Sequence, residues 1–268
     1  MKFAFTIQYS GNSFFGFQRQ KDYRSVQQII EEAIFTILRK KIRIYPAGRT
    51  DTGVHAAGQV IHFSFDYENS LLSDMRRFIY AVNSVLPDDV SFIYGKPVSE
   101  DFHARFSCKG RDYLYRILNS PYRMALYRET SHWVRTEMDI QKMREAAERL
   151  IGEHDFAAFT KAFYQKKGEK TVRRIDDIQI IENYPFIDFY YKGSGFLHNM
   201  IRIITGTLLQ AGKGQITSDE IAEILKNKKR DLAGQTIPAC GLFFLNAYYD
   251  EYETPVELLP FYDLQKKN

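Results

Sequence analysis

The sequence has little cysteine. Its two cysteines, Cys108 and Cys240, occur in a chain of 268 residues. Two thiols are too few for the framework of several disulfides that stabilises small secreted domains, or for a four-cysteine zinc site. We therefore expect both to be buried, small apolar side chains in a protein from a reducing compartment.

Long apolar runs are also missing. No stretch approaches the roughly 20 consecutive apolar residues that a helix needs to cross a bilayer. The N-terminal segment MKFAFTIQYS lacks the extended apolar region of a secretory signal. The sequence therefore predicts a soluble, cytoplasmic protein.

The charge is almost balanced, with 37 Lys and Arg against 33 Asp and Glu, and a net charge of +4. The basic residues nevertheless form three clusters. These are Arg39, Lys40, Lys41 and Arg43; Lys161, Lys166, Lys167, Lys170, Arg173 and Arg174; and Lys226, Lys228, Lys229 and Arg230. One such cluster is usually a solvated surface, but three together favour a polyanionic partner.

Hydrophobic residues make up 44% of the chain, enough for a sizeable core in one large or two medium domains. Alternating strands and amphipathic helices in the first half follow the order β-α-β-β-α-β. That order is typical of a ferredoxin-like α+β sandwich with an antiparallel sheet, and the second half is similar in outline. We predict two ferredoxin-like (RRM-like) domains, residues 1–106 and 107–268, with a catalytic cleft between them.

Local signals predict where several elements begin and end. Ser25, with Gln28 three residues later, has the spacing of a capping box at a helix start. Helices are also predicted over residues 196–210 and 218–227. Residues 47–58 are predicted to be a loop, because three glycines occur there and the apolar periodicity is lost.

The segment GRTDTGVHA, residues 48–56, carries Arg49, Asp51 and His55 within that predicted loop. Catalytic groups concentrate on loops that a rigid scaffold holds in place. The residues alone also permit a simpler interpretation, in which Asp51 bonds its own backbone in an Asx turn and Arg49 lies on the surface.

GRTDTGVHA resembles the signature Gly-Arg-Thr-Asp-x-Gly-Val-His-Ala of the TruA family of tRNA pseudouridine synthases. Other segments match that family in the same order along nearly the whole chain. They are residues 9–20 (containing GFQRQ), 25–27, 83–87, 102–107 (FHARFS), 111–115, 154–156, 196–202 (FLHNMIR) and 237–242. Departures are mild: Phe17 occupies a frequent tryptophan position, Ile237 an alanine position and Phe244 a leucine position.

The resemblance implies that the protein isomerises uridine to pseudouridine in the anticodon stem-loop of tRNA. Asp51 would be the catalytic carboxylate, acting either as a nucleophile or as a base on the sugar. The isomerisation involves no redox change, so neither a metal nor another cofactor is expected. The resemblance also implies a homodimer whose tRNA crosses both subunits.

Substrate-binding roles follow from the same resemblance. Tyr113 would stack on the target base, Arg202 would pair with Asp51, Arg49 would hold the opened RNA, and Leu242 would also contact substrate. Simpler alternatives remain: a core tyrosine, a helix arginine that reaches solvent, and a structural loop arginine. Three histidines are expected either to contact RNA or to make local hydrogen bonds, namely His55, His103 and His198.

Two other functions fit parts of the sequence. A noncatalytic RNA-binding protein with RRM-like sheets would have basic clusters and exposed aromatic rings, but would not need Asp51. A hydrolase that uses Asp51 would need a second carboxylate to activate water, and no motif supplies one. The resemblance therefore favours the synthase.

Overall fold

A computed structural model describes residues 1–65, 71–161 and 170–261. Within these residues the chain is of mixed α+β class, with five α-helices, ten strands and mostly antiparallel strand pairing. It divides into two compact units. Unit 1 comprises Met1–Arg111 and the described part of Phe243–Asn268, and unit 2 comprises Asp112–Leu242. The division into independent domains 1–106 and 107–268 stays a prediction.

Unit 1 is built on strands with the order β4-β1-β3-β10, and β2 also pairs with β3. β1 is antiparallel to β3 and β4, β2 is antiparallel to β3, and β10 is parallel to β3. The elements are β1 (Lys2–Tyr9), α1 (Val26–Leu38), β2 (Tyr45–Pro46), β3 (His55–Ser64), α2 (Met75–Asn83), β4 (Val90–Val98) and β10 (Leu242–Tyr248, from Phe243 onward in this unit).

The core of unit 1 is an aromatic cluster around Phe5. The Phe5 ring lies 5.2 Å from Phe63, 5.2 Å from Phe78 and 5.3 Å from Phe92, measured between ring centroids. All four side chains are buried. Because Phe78 belongs to α2 and the others to strands, these contacts fix the helix against the sheet.

The predicted start of α1 is confirmed. The Ser25 hydroxyl accepts a hydrogen bond from the Gln28 backbone N–H, 3.4 Å away. Ser25 is therefore a helix N-cap, which satisfies one of the backbone donors that a helix start leaves exposed. The Gln28 side chain donates along the helix to Glu32 at 3.0 Å instead of returning to Ser25, so only half of the predicted capping box is formed.

The predicted loop over residues 47–58 is too long at its C-terminal end, because β3 begins at His55. His55 and Ala56 pair with Phe243 and Phe244 of β10, and Ala56 also pairs with Tyr9 of β1. These partners are distant in sequence, so the tertiary pairing extends the strand where local periodicity indicates a loop.

Unit 2 has the strand order β5-β9-β8-β7, with β6 parallel to β5. β8 is antiparallel to both β7 and β9. Helix α3 packs against α4 and β8. The elements are β5 (Gly110–Asn119, from Asp112 onward in this unit), β6 (His132–Val134), α3 (Ile140–Glu148), β7 (Gly152–Asp155), β8 (Val172–Asn183), β9 (Phe186–Gly193), α4 (Met200–Gly212) and α5 (Ser218–Asn227).

The helix predicted over 196–210 begins later than expected, at Met200. Asn199 immediately before it has φ 60°, in the left-handed region, which a right-handed helix cannot include. The helix predicted over 218–227 is confirmed, and Thr217 with Glu220 forms a complete capping box at its start.

Both cysteines are free thiols, and the expectation of full burial is wrong, since Cys108 and Cys240 are each partly exposed. Across residues 1–65, 71–161 and 170–261, every helix is too short or too polar to traverse a bilayer.

Candidate active site

The loop that carries Asp51 is anchored where it leaves β2. Ala47 N–H donates to the Val60 carbonyl oxygen at 2.7 Å. The Arg111 guanidinium donates to the Ala47 carbonyl oxygen at 2.7 Å, and the Gln59 side-chain amide donates to the Gly48 carbonyl oxygen at 2.8 Å. Three bonds from surrounding groups therefore fix the first two residues of the loop.

Thr50 attaches the middle of the loop to β1 and to the segment after it. Its hydroxyl lies 2.7 Å from the Tyr9 hydroxyl, and its carbonyl oxygen accepts from Phe17 N–H at 3.1 Å. Burial raises the pKa of Tyr9 to about 12, so the phenol stays protonated near neutral pH and can donate. Phe17, at the frequent tryptophan position, is fully buried with its ring 6.3 Å from that of Tyr9.

A tight turn follows Asp51. Val54 N–H donates to the Asp51 carbonyl oxygen at 3.1 Å, and Gly53 N–H donates to the Phe14 carbonyl oxygen at 3.4 Å. Gly53 has φ +80°, which a residue with a side chain rarely adopts. Thr50, directly before Asp51, is buried, whereas Asp51 itself is half-buried. The carboxylate is therefore carried by a backbone that hydrogen bonds hold in place.

Two glycines in the segment after β1 allow it to lie directly against this loop. A Cβ on Gly11 would overlap the Val54 carbonyl oxygen. A Cβ on Gly16 would lie 2.9 Å from the Thr50 carbonyl oxygen, and Gly16 also has φ +87°. The sequence places these glycines in the family-like segment 9–20, and the structure shows why side chains are not accommodated there.

His55 lies just after the loop and is only 3% exposed. Its Nδ1 accepts from Gly11 N–H at 3.1 Å, and its ring stacks on Phe243 with a centroid distance of 4.7 Å. Arg49, by contrast, is exposed. The geometry favours a local hydrogen-bonding role for His55 and leaves the Arg49 side chain at the surface.

Arg202 lies on α4 in unit 2 and is half-buried. Its Nε donates to the Ile237 carbonyl oxygen at 2.7 Å, and its Nη1 donates to Asn199 Oδ1 at 2.9 Å. These bonds orient the guanidinium within unit 2, which argues against an arginine that simply extends into solvent. Asn199 is thus both the residue that delays the start of α4 and a partner of Arg202.

Three other predicted residues of unit 2 are partly or fully buried. Tyr113 on β5 is 8% exposed, and its ring meets Phe196 edge-on with centroids 5.1 Å apart. Leu242 is buried at the start of β10. His198 is half-buried, and its carbonyl oxygen accepts from the Thr160 hydroxyl at 3.1 Å.

His103 lies in unit 1, in the turn after β4. Its Nδ1 accepts from Arg105 N–H at 3.1 Å, and its ring lies 4.6 Å from that of His62. Burial is the main cause of a lowered His103 pKa, and the positive charges of Lys2 and Arg105 act in the same direction. A neutral imidazole is therefore favoured at this position near neutral pH.

The basic clusters differ in how far internal contacts occupy them. Lys228 pairs with Asp155 at 2.7 Å, and Arg230 donates to the Ala233 and Gly234 carbonyl oxygens. The third cluster is therefore partly structural. In the second cluster, Lys166 and Lys167 lie outside the described residues.

Sequence reasoning missed the residues that support the loop, namely Tyr9, Gln59 and Arg111. Gln59 offers a usable signal, because it is a polar residue inside the apolar strand segment AAGQVIHF and is fully buried. Tyr9 and Arg111 lie in the family-like segments 9–20 and 111–115, but nothing in the sequence joins them to the loop, since their partners are distant in the chain. Among the described residues, no group of three His, Cys, Asp or Glu side chains is arranged to hold a metal ion.

Comparison with known proteins gives the family of the chain. A family model described as tRNA pseudouridine synthase matches residues 6–107 and 146–250. The chain is 41% identical over 243 residues to tRNA pseudouridine synthase A of Acetivibrio thermocellus, covering 91% of this chain and 97% of that protein. It is 40% identical over 252 residues to the Bacillus subtilis enzyme of the same name, covering 93% and 100%. The Ehrlichia canis enzyme is also 40% identical, over 253 residues, with 93% and 100% covered. Similarity of this extent means that the chain belongs to the tRNA pseudouridine synthase family.

Proposed function

We propose that this protein isomerises uridine to pseudouridine in the anticodon stem-loop of tRNA, with Asp51 as the catalytic carboxylate. The observation that carries the proposal is the support of the Asp51 loop by Tyr9, Phe17, Gln59 and Arg111. A catalytic group must be held close to its productive position, and a loop fixed on both sides of the carboxylate meets that need.

The reaction is a rearrangement with no net gain or loss of atoms. The bond between N1 of uracil and C1′ of ribose breaks, the uracil turns, and a bond forms between C5 and C1′. The proton on C5 is released, and N1 takes up a proton. A carboxylate close to C1′ can stabilise or attack the electron-poor sugar carbon, as carboxylates do in glycoside chemistry. The intermediate is then either a covalent sugar adduct or a glycal.

We further propose that Arg202 pairs with Asp51 when the enzyme acts. The guanidinium is held by Ile237 and Asn199, and these bonds engage its Nε and Nη1. A cation beside a carboxylate favours the ionised form that the chemistry requires. The two fixed bonds support a preset orientation for this arginine.

The other substrate contacts are proposed from chemistry and exposure. Arg49 is exposed, two residues before Asp51, and would occupy the space left by the extruded base, since an enzyme that acts on a paired base must first unstack it. Tyr113 and Leu242 would line the apolar wall against the target base. His103 and His198 are proposed to contact RNA.

The finer architecture is part of the proposal. Unit 1 supports a ferredoxin-like assignment, because β1, α1, β2, β3, α2 and β4 follow one another with antiparallel pairing and the strand order β4-β1-β3-β2. We propose that unit 2 is a second ferredoxin-like domain, that the catalytic cleft lies between the two, and that the enzyme is a cytoplasmic homodimer.

Release of tritium from C5-tritiated uridine in whole tRNA tests the function directly. Wild type should release tritium, whereas Asp51→Ala and Asp51→Asn should release none while their tRNA dissociation constants stay within about twofold of wild type. Loss of tRNA binding in both variants would instead make Asp51 structural. Binding without release by wild type would favour the noncatalytic RNA-binding alternative.

A further inference from the structure

Unit 1 carries a column of rings at its surface, outside the Asp51 loop. Tyr45 stacks on His62 with centroids 5.1 Å apart, His62 meets His103 at 4.6 Å, and His103 meets Phe106 at 4.3 Å. His62 is buried at the centre, while Tyr45 and Phe106 are exposed. The column therefore ends in Phe106, which is 76% exposed.

Phe106 is held on an ordered turn despite its exposure. Ser107 N–H donates to the His103 carbonyl oxygen at 2.8 Å, and the Ser107 hydroxyl accepts from His103 N–H at 3.0 Å. His103 Nδ1 accepts from the N–H groups of Arg105 and Phe106 at 3.1 and 3.4 Å. An apolar ring fixed in this way loses little conformational freedom when another flat group stacks on it.

An arginine lies against each exposed ring of the column. The Arg43 guanidinium lies 5.5 Å from the Tyr45 ring centroid, and that of Arg105 lies 5.7 Å from the Phe106 centroid. Burial is the main cause of the lowered His103 pKa, and the positive charges of Lys2 and Arg105 act in the same direction, which leaves this ring neutral near neutral pH beside permanent cations. Aromatic rings beside arginines form the combination that binds unpaired nucleotides, since bases stack on rings and phosphates meet cations.

The column is also tied to the loop of the proposed active site. Arg111 Nη2 donates both to the Ala47 carbonyl oxygen, at the start of the Asp51 loop, and to the Arg105 carbonyl oxygen at 3.3 Å. Tyr45 begins β2, and Ala47 follows the last residue of that strand. The turn that carries Phe106 and the Asp51 loop are therefore connected through the Arg111 side chain.

We propose that Phe106 is a stacking subsite for an unpaired base of the RNA substrate, with Arg105 contacting the adjoining phosphate. The subsite rests on the proposed function, because it assumes that the polyanionic partner is RNA. It binds by stacking and charge, so it tolerates different bases and helps hold a strand whose neighbouring uridine is being turned.

The test uses the full-length protein with the Asp51→Ala change, so that bound RNA is not converted. An anticodon stem-loop RNA carries 2-aminopurine at one unpaired loop position at a time, because stacking on a ring quenches its fluorescence. Phe106→Ala should weaken binding about tenfold and abolish quenching at one position. Phe106→Trp should retain both the RNA affinity and the quenching. Tyr80 is a 79% exposed aromatic residue on α2, and the control Tyr80→Ala should bind and quench like the Asp51→Ala protein.

Two outcomes would overturn the subsite. One is equal RNA affinity and quenching in Phe106→Ala and Tyr80→Ala. The other is a changed oligomeric state of Phe106→Ala in sedimentation with RNA affinity intact, which would make the ring a protein contact. Tritium release by otherwise wild-type enzyme is measured alongside, because its absence would reject the proposed function rather than the subsite.

Discussion

The Tyr9 hydroxyl lies 2.7 Å from the Thr50 hydroxyl, and both side chains are buried directly behind the backbone that carries Asp51. This bond joins the end of β1 to the middle of the loop. A buried hydroxyl that loses its partner retains the full penalty of its desolvation. The Tyr9–Thr50 pair should therefore influence both stability and catalysis.

Tyr9→Phe should lower the free energy of unfolding by about 1 kcal/mol, because it leaves the Thr50 hydroxyl without this partner. It should also lower kcat, since the loop gains freedom. Urea unfolding and tritium release measure the two effects. Thr50→Val is the matched change on the other side of the bond. The loss of unfolding free energy in the double variant should be smaller than the sum of the losses in the two single variants. Strictly additive losses would show that the two hydroxyls do not act together.

Gly16→Ala should destabilise the protein by about 2 kcal/mol or more, because it combines positive φ with a Cβ only 2.9 Å from the Thr50 carbonyl oxygen. Gly214→Ala is the matched control. Gly214 also has positive φ, +69°, but its added Cβ meets nothing closer than Lys142 Nζ at 3.8 Å. Only Gly16→Ala should reduce kcat/KM, by roughly tenfold. Equal losses in both variants would mean that contact with the loop is unimportant.

The elements predicted correctly are those whose signals are local. Ser25 is predicted as a helix start from Gln28 three residues later, and the helix over 218–227 from its own segment alone. The structure has both. Elements whose limits depend on distant partners were misplaced. β3 extends into the predicted loop because Phe243 pairs with His55. The late start of α4 has a different cause, the left-handed backbone of Asn199, which apolar periodicity does not report.

The same distinction applies to the candidate site. Asp51 and Arg49 lie two residues apart in the sequence, so one motif can identify them together. Arg111 and Tyr9 reach the loop only through the fold, from 64 residues beyond Ala47 and 41 residues before Thr50. Periodicity and composition contain no information about such pairs, which is why the supports of the loop were found only in the structure.

Arg202→Ala should lower kcat/KM by at least tenfold if this cation assists Asp51. Arg202→Lys should lower kcat/KM less, because lysine keeps the positive charge although it cannot make both hydrogen bonds to Ile237 and Asn199. The acidic limb of the rate profile should move to higher pH in Arg202→Ala, since removing a cation disfavours a nearby carboxylate anion. A purely structural arginine would change stability without moving that limb, and this result would reject the pairing.

Acid sensitivity should arise partly from His62. Burial, assisted by the positive charges of His103 and Lys2, lowers the His62 pKa to about 4 from an ordinary value of 6.5. The unfolded chain therefore takes up this proton first as the pH falls. The stability contributed by the neutral imidazole is complete above about pH 6.5 and is lost as the pH falls toward about 4.

In the wild type, Ala104 N–H donates to His62 Nδ1 at 3.1 Å. His62→Gln removes the ionisable ring but supplies a side-chain oxygen that can accept the same hydrogen bond. Its free energy of unfolding in urea should fall less than that of wild type between about pH 7 and about pH 4. At about pH 8 the imidazole is neutral in both the folded and the unfolded chain, so the difference in unfolding free energy between the two proteins there gives the cost of lost packing alone. If both proteins lose stability in parallel as the pH falls, the acid sensitivity lies in other groups and His62 is only a packing residue.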